Sequence, residues 1–481
     1  MKFRMVTGSQ FLYGEETLKQ VEENSREVAN YLNEWLAFPV EYADTVKTES
    51  GAFELIKHAD NDDSCAGIIV WCHTFSPSKM WIAALSALRK PYLHLHTQFN
   101  RAIPNEAIDM DYMNLHQSAH GDREHGFIAA RLGIPREIVS GHYTDDDVLK
   151  QISDWQRACI GAAFSRTLKV ARFGDNMREV AVTEGDKVEA QLKFGWQVNT
   201  YGVGGLVEEM NAVADAGIDV KINEYREKYK NNTDDIHSIR YQARVEIAMR
   251  KILTREDCRA FTNTFEDLYC MAQLPGLATQ NLMSEGYGYG GEGDWKTAAL
   301  TAIAKVMSAD SPSTFMEDYT YDYDAGLILG AHMLEVCPTI AADVPRIEVH
   351  PLGIGGKNPP ARLVFEGQAG SATVTSLVDM GGRFRLIVQD VECVKPVNTY
   401  PNLPVARVMW KPLPNLKTGS AAWLRAGGAH HTVLSYGVSA DIWRMWARIM
   451  DTEFIHLGAN TDLHILERDL ELGALLWKLK T

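Results

Sequence analysis

The chain has 481 residues, of which 46% are hydrophobic and 23% are charged, and it carries a formal net charge of −15. This composition is typical of a soluble globular protein, and the length predicts about three domains. The net negative charge argues against a nucleic-acid-binding protein, because phosphate binding requires clustered Lys and Arg side chains.

The seven cysteines are scattered along the chain without a Cys-x-x-Cys pair. An odd, unpaired set predicts reduced thiols in a cytoplasmic protein rather than a disulfide framework. Residues 1–8 lack the apolar run of a signal peptide, and no stretch of 18 apolar residues occurs in the chain. We therefore expect no membrane span.

The first 160 residues alternate strand-like and helix-like patterns. Short apolar runs predict strands at residues 2–7, 66–71 and 91–96, and apolar spacing predicts a helix over residues 15–35. The pair Ser76 and Pro77 predicts the start of a further helix. This alternation predicts a doubly wound, parallel α/β sheet.

The loop after the first predicted strand, residues 8–14, lacks the G-x-G-x-x-G pattern of a dinucleotide-binding fold. Ligands of such sheets gather at the carboxyl ends of the strands. We therefore expect Gln10, Tyr13, His73 and Phe75 near one crevice.

The rest of the chain contains a second α/β region and then a region of short strands. A second α/β region begins near residues 168–174, and a helix-rich segment follows to about residue 253, with a solvated loop predicted at residues 228–235. Strand-like runs without long helices between them then occur at residues 361–365, 372–377, 384–391 and 405–410. They predict an antiparallel barrel or sandwich, followed by a closing helix over residues 465–478.

Four positions in the last 200 residues are candidates for a metal centre. Glu292 lies in a glycine-rich loop, Glu317 precedes an acidic and aromatic run, His332 lies among apolar residues, and His431 follows two glycines and His430. Two carboxylates and two imidazoles can hold a divalent cation of the Mn²⁺ type and leave coordination positions open for a substrate.

Each candidate also has an ordinary structural interpretation. Glu292 could stand at a helix start, Glu317 could belong to a surface loop or a structural cation site, and a lone His332 is more often a core residue. Glu335 competes with Glu317 as a ligand if the segment after His332 is helical. If residues 430 and 431 are extended, only one of the two imidazoles faces a given metal.

Nine segments resemble motifs of the L-arabinose isomerase family, in the same order. They are GSQ and LYG within 8–14, W and HTFSP within 71–77, HTQFN at 96–100, AHG at 119–121, RFGDNMREV at 172–180, EGDWK at 292–296, FMEDYT at 315–320, HMLEVCP at 332–338 and GGAHHT at 427–432. No single segment is specific, but together they identify the chain as similar to that family over its full length.

This resemblance implies a cytoplasmic aldose–ketose isomerase that interconverts L-arabinose and L-ribulose in arabinose catabolism. It implies a Mn²⁺ ion, for which Co²⁺ or Mg²⁺ could substitute, no organic cofactor, and a homohexamer. The expected fold has two doubly wound α/β domains, residues 1–167 and 168–312, and a C-terminal domain with an antiparallel β-barrel, residues 313–481.

The resemblance also implies roles for individual residues. The metal ligands would be Glu292, Glu317, His332 and His431, and the first two would also be the catalytic carboxylates. The sugar-binding residues would be Gln10, Leu12, Tyr13, Phe75, His120, Met177, Phe265 and His430. His120 would reach the site of a neighbouring subunit.

Isomerising an aldose moves a proton from C2 to C1 and another between O1 and O2. We expect a metal-bound cis-ene-diol, with Glu292 and Glu317 sharing the acid and base roles. A metal-assisted hydride shift is the alternative route. Because D-galactose differs from arabinose by one additional carbon, a side activity that forms D-tagatose is expected.

Three alternative functions are open at this point. A related isomerase could prefer L-fucose or D-galactose, and ketose formation from several aldoses would distinguish these. A non-catalytic sugar-binding protein is disfavoured by the acidic metal-ligand set. A nicotinamide-dependent dehydrogenase is disfavoured by the missing glycine fingerprint.

Overall fold

The computed structural model describes residues 1–480, which form two compact units that divide between residues 163 and 164. Among the described residues, no helix is both long enough and apolar enough to cross a membrane. The predicted three-domain boundaries stay a prediction.

The first unit contains a five-stranded parallel sheet in the order β2-β1-β3-β4-β5. Its elements are β1 Lys2–Gly8, α1 Gly14–Trp35, β2 Val40–Val46, α2 Glu49–Asn61, β3 Cys65–Cys72, α3 Ile82–Ala87, β4 Tyr92–His96, α4 Met110–Leu115, α5 Ser118–Arg131, β5 Glu137–Ser140 and α6 Asp146–Ser165. The strand order reverses between β1 and β3, and ligands of doubly wound sheets bind at the carboxyl ends of strands at such a point.

The strand and helix predictions for the first unit are confirmed. All eight residues of the central strand β3 are buried, which explains its uninterrupted apolar sequence. The predicted helix start at Ser76 is wrong in detail. A 3-10 turn, Ser78–Trp81, comes first, and the Ser76 hydroxyl accepts a hydrogen bond from the Trp81 indole instead of capping a helix.

The second unit begins with a four-stranded parallel sheet in the order β10-β9-β6-β7. Its elements are β6 Lys169–Phe173, α7 Lys187–Phe194, β7 Gln197–Tyr201, α8 Val203–Asn211, α9 Asp215–Lys228, β8 Lys230–Asn231, α10 Ile236–Arg255, β9 Ala260–Asn263, α11 Leu277–Ser284, β10 Gly288–Gly290 and α12 Trp295–Met307. The loop predicted at residues 228–235 contains the short strand β8. Its residues Lys230 and Asn231 pair with Arg346 and Ile347 further along the chain.

The remainder of the second unit is dominated by strands. Its elements are β11 Ser313–Asp322, β12 Leu327–Ala331, β13 Arg346–Val349, β14 Ala361–Val364, β15 Gly370–Asp379, β16 Phe384–Val394, β17 Arg407–Pro412, α13 Leu416–Ala426, β18 His431–Ser435, α14 Ala440–Ile449, β19 Glu453–Leu457 and α15 Leu463–Lys480.

Six of these strands close into an antiparallel barrel in the order β15-β18-β11-β12-β17-β16 and back to β15. The predicted barrel is therefore confirmed, and β19 adds to β16 in parallel. The strand predicted at residues 361–365 is present as β14, but it belongs to a separate small sheet with β13 and β8.

The barrel register brings three candidate residues to one level. Glu317 on β11 lies directly opposite His431, the first residue of β18, and also opposite Ala331, the last residue of β12. His332 follows Ala331 at once. Since directly opposed side chains on an antiparallel pair lie close together, the register alone assembles part of a site.

Candidate active site

Glu292 occupies a tight turn between β10 and α12. Its φ of 57° lies in the left-handed region that non-glycine residues seldom adopt. The next residue, Gly293, has a φ of 79°, and a Cβ there would stand 2.5 Å from the Asn176 Cα atom. The Met177 amide donates a hydrogen bond of 2.9 Å to the Glu292 carbonyl oxygen. The backbone thus holds the Glu292 carboxylate in one place, as strained residues at functional sites often are.

The alternative interpretation of Glu292 as a helix-start carboxylate is wrong. The residue that caps α12 is Asp294, whose carboxylate accepts hydrogen bonds from the amides of Lys296 and Thr297. Glu292 is therefore free to point elsewhere, and it lines a cavity.

The four predicted metal ligands meet in two pairs. The His431 Nε2 atom lies 3.8 Å from a carboxylate oxygen of Glu292, and the His332 Nε2 atom lies 3.9 Å from a carboxylate oxygen of Glu317. The His332 and His431 rings are 6.2 Å apart between centroids. Both imidazoles therefore present the same nitrogen to the carboxylates.

The other nitrogen of each ring is held by a further carboxylate. The His332 Nδ1 atom lies 2.5 Å from Glu335, and the His431 Nδ1 atom lies 3.3 Å from Asp294. A carboxylate at Nδ1 favours the tautomer that carries its proton there, which leaves the Nε2 lone pair available. Histidines that ligate metals are commonly oriented in this way.

The fully buried His431 Nε2 atom has no hydrogen-bond partner among the described residues. Leaving a buried polar atom without a partner is costly, so such an atom suggests a ligand. A divalent cation satisfies an imidazole lone pair, and carboxylate and imidazole donors suit Mn²⁺ and similar ions. The residues present therefore fit the metal that the sequence predicted.

The electrostatics also suit a cation. The nearby His430 imidazole lowers the pKa of Glu292 below its ordinary value despite partial burial. Burial opposes ionisation of Asp294, but Lys296 and His431 outweigh that effect and hold the Asp294 pKa below its ordinary value. Both carboxyl groups are therefore anionic at neutral pH.

The neighbouring histidine is also close to the centre. Glu292, His430 and His431 offer ligand atoms within 4.8 Å of one another, and the His430 Nε2 atom lies 3.8 Å from Glu292. His430 precedes the first residue of β18, so the alternation expected within a strand does not separate the two rings. Burial does distinguish them, because the side chain of His430 is 37% exposed and that of His431 is 0% exposed.

A cavity of about 90 Å³ opens beside these residues. Glu292, Glu317 and His332 line one part of it, and Phe265, Leu352 and Ile354 supply apolar surface. Glu335 also lines the cavity, but the segment after His332 is not helical, and its carboxylate is occupied with the His332 ring. This geometry favours Glu317 over Glu335 as a candidate ligand.

Several residues at the site were missed by sequence reasoning. Asp294 stands two positions after Glu292, but its contact with His431 depends on the fold. Tyr289 lines the cavity from a glycine-rich sequence. Leu352 and Ile354 lie in the loop between β13 and β14, and their place in the cavity also depends on the fold.

Five sugar-binding candidates lie in the first unit, near the carboxyl ends of β1 and β3. Gln10, Leu12 and Tyr13 follow β1, and the Leu12 side chain is 80% exposed. The Phe75 ring lies 4.9 Å from the ring of His120, an exposed residue in the first turn of α5. The exposed side chains of Leu12 and His120 are available to a ligand or to another molecule.

His73 was expected near the same crevice, but it is a core residue. Its ring is fully buried, stacks on Trp71 and forms a 2.8 Å hydrogen bond with the Asn24 amide. Burial lowers the pKa of His73 to about 3, so the ring is neutral. His73 therefore stabilises the fold and does not reach a ligand.

Family models match this chain in three consecutive parts. They describe the N-terminal domain of L-arabinose isomerase at residues 1–167, its central domain at residues 169–310 and its C-terminal domain at residues 312–453. The chain belongs to the L-arabinose isomerase family. This membership confirms the resemblance, the fold and the enzyme class predicted from the sequence, an aldose–ketose isomerase.

Members of the L-arabinose isomerase family from several bacteria are similar to this chain over almost its whole length. It is 53% identical to L-arabinose isomerase 1 of Bacillus licheniformis, over 99% of this chain and 98% of that protein. It is 52% identical to L-arabinose isomerase of Geobacillus stearothermophilus and 51% identical to that of Thermotoga maritima, with the same coverage.

Proposed function

We propose that this protein interconverts L-arabinose and L-ribulose at a divalent metal centre formed by Glu292, Glu317, His332 and His431. The observation that carries this proposal is the arrangement of the two histidines. Each has its Nδ1 atom beside a carboxylate and its Nε2 atom within 4 Å of Glu292 or Glu317. The names of the relatives support the choice of sugar.

Mn²⁺ is the proposed ion, with Co²⁺ or Mg²⁺ as substitutes, and no organic cofactor is required. When bound, the cation would supply Lewis-acid polarisation of the sugar carbonyl and would favour the cis form of the ene-diol. The four proposed ligands include no thiolate, so we expect the metal to exchange.

The two carboxylates that line the cavity carry out the proton transfers. One of Glu292 and Glu317 removes the proton from C2 of the aldose and returns it to C1. The other moves the proton between the two hydroxyl oxygens. Two carboxylates in one cavity support this ene-diol route over a hydride shift, which would need no base at C2.

The rest of the cavity holds the sugar. Met177, Phe265 and His430 lie beside Glu292 or line the cavity with it in the second unit. His120 of the first unit is proposed to complete the sugar site of a neighbouring subunit in a homohexamer, and Gln10, Leu12, Tyr13 and Phe75 are proposed to bind the sugar. The exposure of Leu12 and His120 supports this part of the proposal. A cytoplasmic location stays a prediction.

A ketose assay across several aldoses tests the proposal. With Mn²⁺ present, we expect L-ribulose from L-arabinose and slower formation of D-tagatose from D-galactose. One additional hydroxymethyl group changes the discrimination by about 10- to 200-fold, because a pocket rejects such a group weakly.

Each other outcome of the assay points to a different function. Faster turnover of L-fucose or D-galactose than of L-arabinose would assign the enzyme to another aldose. Sugar binding without any ketose in metal-loaded protein would make it a binding protein.

Complementation between inactive variants tests the shared site. A mixed oligomer of His120→Ala and Glu317→Gln chains should regain activity, because some sites combine an intact His120 with an intact Glu317. Each variant alone should be inactive. Ketose formation after mixing and reassembly is the measurement.

A matched mixture controls for this effect. Glu292→Gln chains mixed with Glu317→Gln chains should stay inactive, since both carboxylates of a site come from the same unit of one chain. If the His120→Ala mixture also stays inactive, with both chains shown in one assembly, His120 does not serve a neighbour's site.

A further inference from the structure

Arg362 on β14 is a buried cation whose nearest acids, Glu335 and Glu348, act on it without direct contact. Its exposed fraction is 2%, and among the described residues no carboxylate oxygen lies within 4.0 Å of its guanidinium. Burial lowers the pKa of Arg362 to about 10, so it is still charged at neutral pH. A buried charge without an ion-pair partner costs stability unless other groups accept its hydrogen bonds.

The guanidinium donates to two backbone carbonyls from different segments. Its Nη2 atom lies 2.6 Å from the His350 carbonyl oxygen, and its Nη1 atom lies 3.4 Å from the Met333 carbonyl oxygen. The buried Nε atom has no partner among the residues that the structure describes. Arg362 therefore joins two segments that are 17 residues apart in the sequence.

Both segments belong to the wall of the cavity. Met333 directly follows the proposed ligand His332 and lines the cavity with it. His350 begins the loop between β13 and β14, which contributes Leu352 and Ile354 to the same cavity. Arg362 thus connects the metal-ligand side of the cavity to its apolar side.

The loop has open space around part of its tip. A Cβ built on Gly353 or Gly356 would have no atom within 4 Å, and the latter has a φ of 57°. Other contacts hold the remainder of the loop, since Leu352 packs against the apolar core of the second unit and the Asn358 amide donates to the Ala272 carbonyl oxygen. At the start of the loop, the position of the backbone depends on Arg362, which binds the His350 carbonyl oxygen.

We propose that Arg362 is a positioning residue that sets the distance between the apolar wall formed by Leu352 and Ile354 and the His332 side of the cavity. It thereby sets the fit of the aldose. This inference rests on the proposed function, because it concerns the binding of the same sugar. The guanidinium suits the role, since its planar fork binds two carbonyls at once, whereas a lysine ammonium is a single point charge.

Arg362→Lys is the direct test, because it keeps the charge and removes the fork. We expect the KM for L-arabinose to rise at least about tenfold with kcat nearly unchanged, the pattern of lost sugar binding rather than lost chemistry. Mn²⁺ affinity, measured by calorimetry without sugar, should stay within about threefold of wild type. Arg4→Lys is the matched control, because Arg4 also has a buried, unpaired Nε atom but lies on β1 in the first unit.

An unchanged KM would overturn the proposal, and so would an Arg362→Lys variant whose KM, Mn²⁺ affinity and melting temperature all worsen together. Ketose formation by the wild-type protein is measured before any variant is compared. If the wild-type protein forms no ketose, the proposed function is wrong, and this result is distinct from a failure of the role proposed for Arg362.

A double-mutant cycle keeps the proposal testable if Arg362→Lys is poorly folded at high temperature. Leu352→Ala should raise KM by itself. If Arg362 acts through the loop, the double variant should have a KM close to that of the worse single variant. If the two effects instead multiply, Arg362 acts independently of Leu352 and the proposal is wrong.

Discussion

Removing divalent metal with EDTA is expected to abolish ketose formation from L-arabinose, and adding Mn²⁺ is expected to restore it. The two imidazoles present their Nε2 atoms to carboxylates at 3.8 and 3.9 Å, an arrangement that provides donors without filling every coordination position. Without the cation, the carbonyl of the sugar would not be polarised and its C2 proton would be too weakly acidic to be removed. Ketose yield before and after chelation is the measurement.

The control for this experiment is the fold of the metal-free protein. The His431 ring keeps its contact with Asp294, and the His332 ring keeps its contact with Glu335, so the site should remain assembled. Circular dichroism should therefore be unchanged by chelation. Full activity in thoroughly metal-free protein would disprove the metal centre.

Local sequence patterns predicted the elements of the fold well. The central strand β3 is apolar throughout because it is buried on both faces, and such a run is visible without knowing its neighbours. The pairing of β14 could not be predicted, because its sequence is equally suited to the barrel and to the small sheet. The place of β14 is set by long-range pairing with β13, which in turn pairs with the two-residue strand β8.

The candidate site was predicted only in part for a similar reason. The glycines around Glu292 marked an unusual turn, and the structure shows the positive φ that requires it. The contact of Asp294 with His431 joins residues 137 positions apart, so no local sequence pattern predicts it. The role of Arg362 could not be predicted either, because the sequence pattern of an arginine in a strand indicates an exposed side chain. It does not indicate a buried link between two loops.

The distinction between His430 and His431 shows the limit of periodicity arguments. Strand alternation separates two side chains only where both residues are extended, yet β18 begins only at His431. Burial and hydrogen bonding separate their roles instead. His431 is held by Asp294 inside the protein, whereas His430 remains partly accessible to a substrate.

Glu317→Gln is expected to lower kcat by at least about 100-fold, the low end of what a positioned acid or base supplies. The substitution keeps the size of the side chain and removes the proposed proton carrier and a proposed anionic metal ligand together. Glu317 is placed by its register opposite His431 and Ala331, so the amide should occupy the same position. The kcat at saturating Mn²⁺ and L-arabinose is the measurement.

Two further glutamates in the same unit serve as comparisons for the loss of kcat in Glu317→Gln. Glu335→Gln should lower kcat much less, because an amide oxygen can still accept the hydrogen bond from the His332 Nδ1 atom and keep the ring in place. Glu392→Gln should have no effect, since Glu392 is an exposed residue of β16 that bonds the Ser371 hydroxyl. If Glu335→Gln is the more damaging change, then Glu335 and not Glu317 is the ligand and proton carrier, and the contact of Glu335 with His332 would have to open when the metal binds.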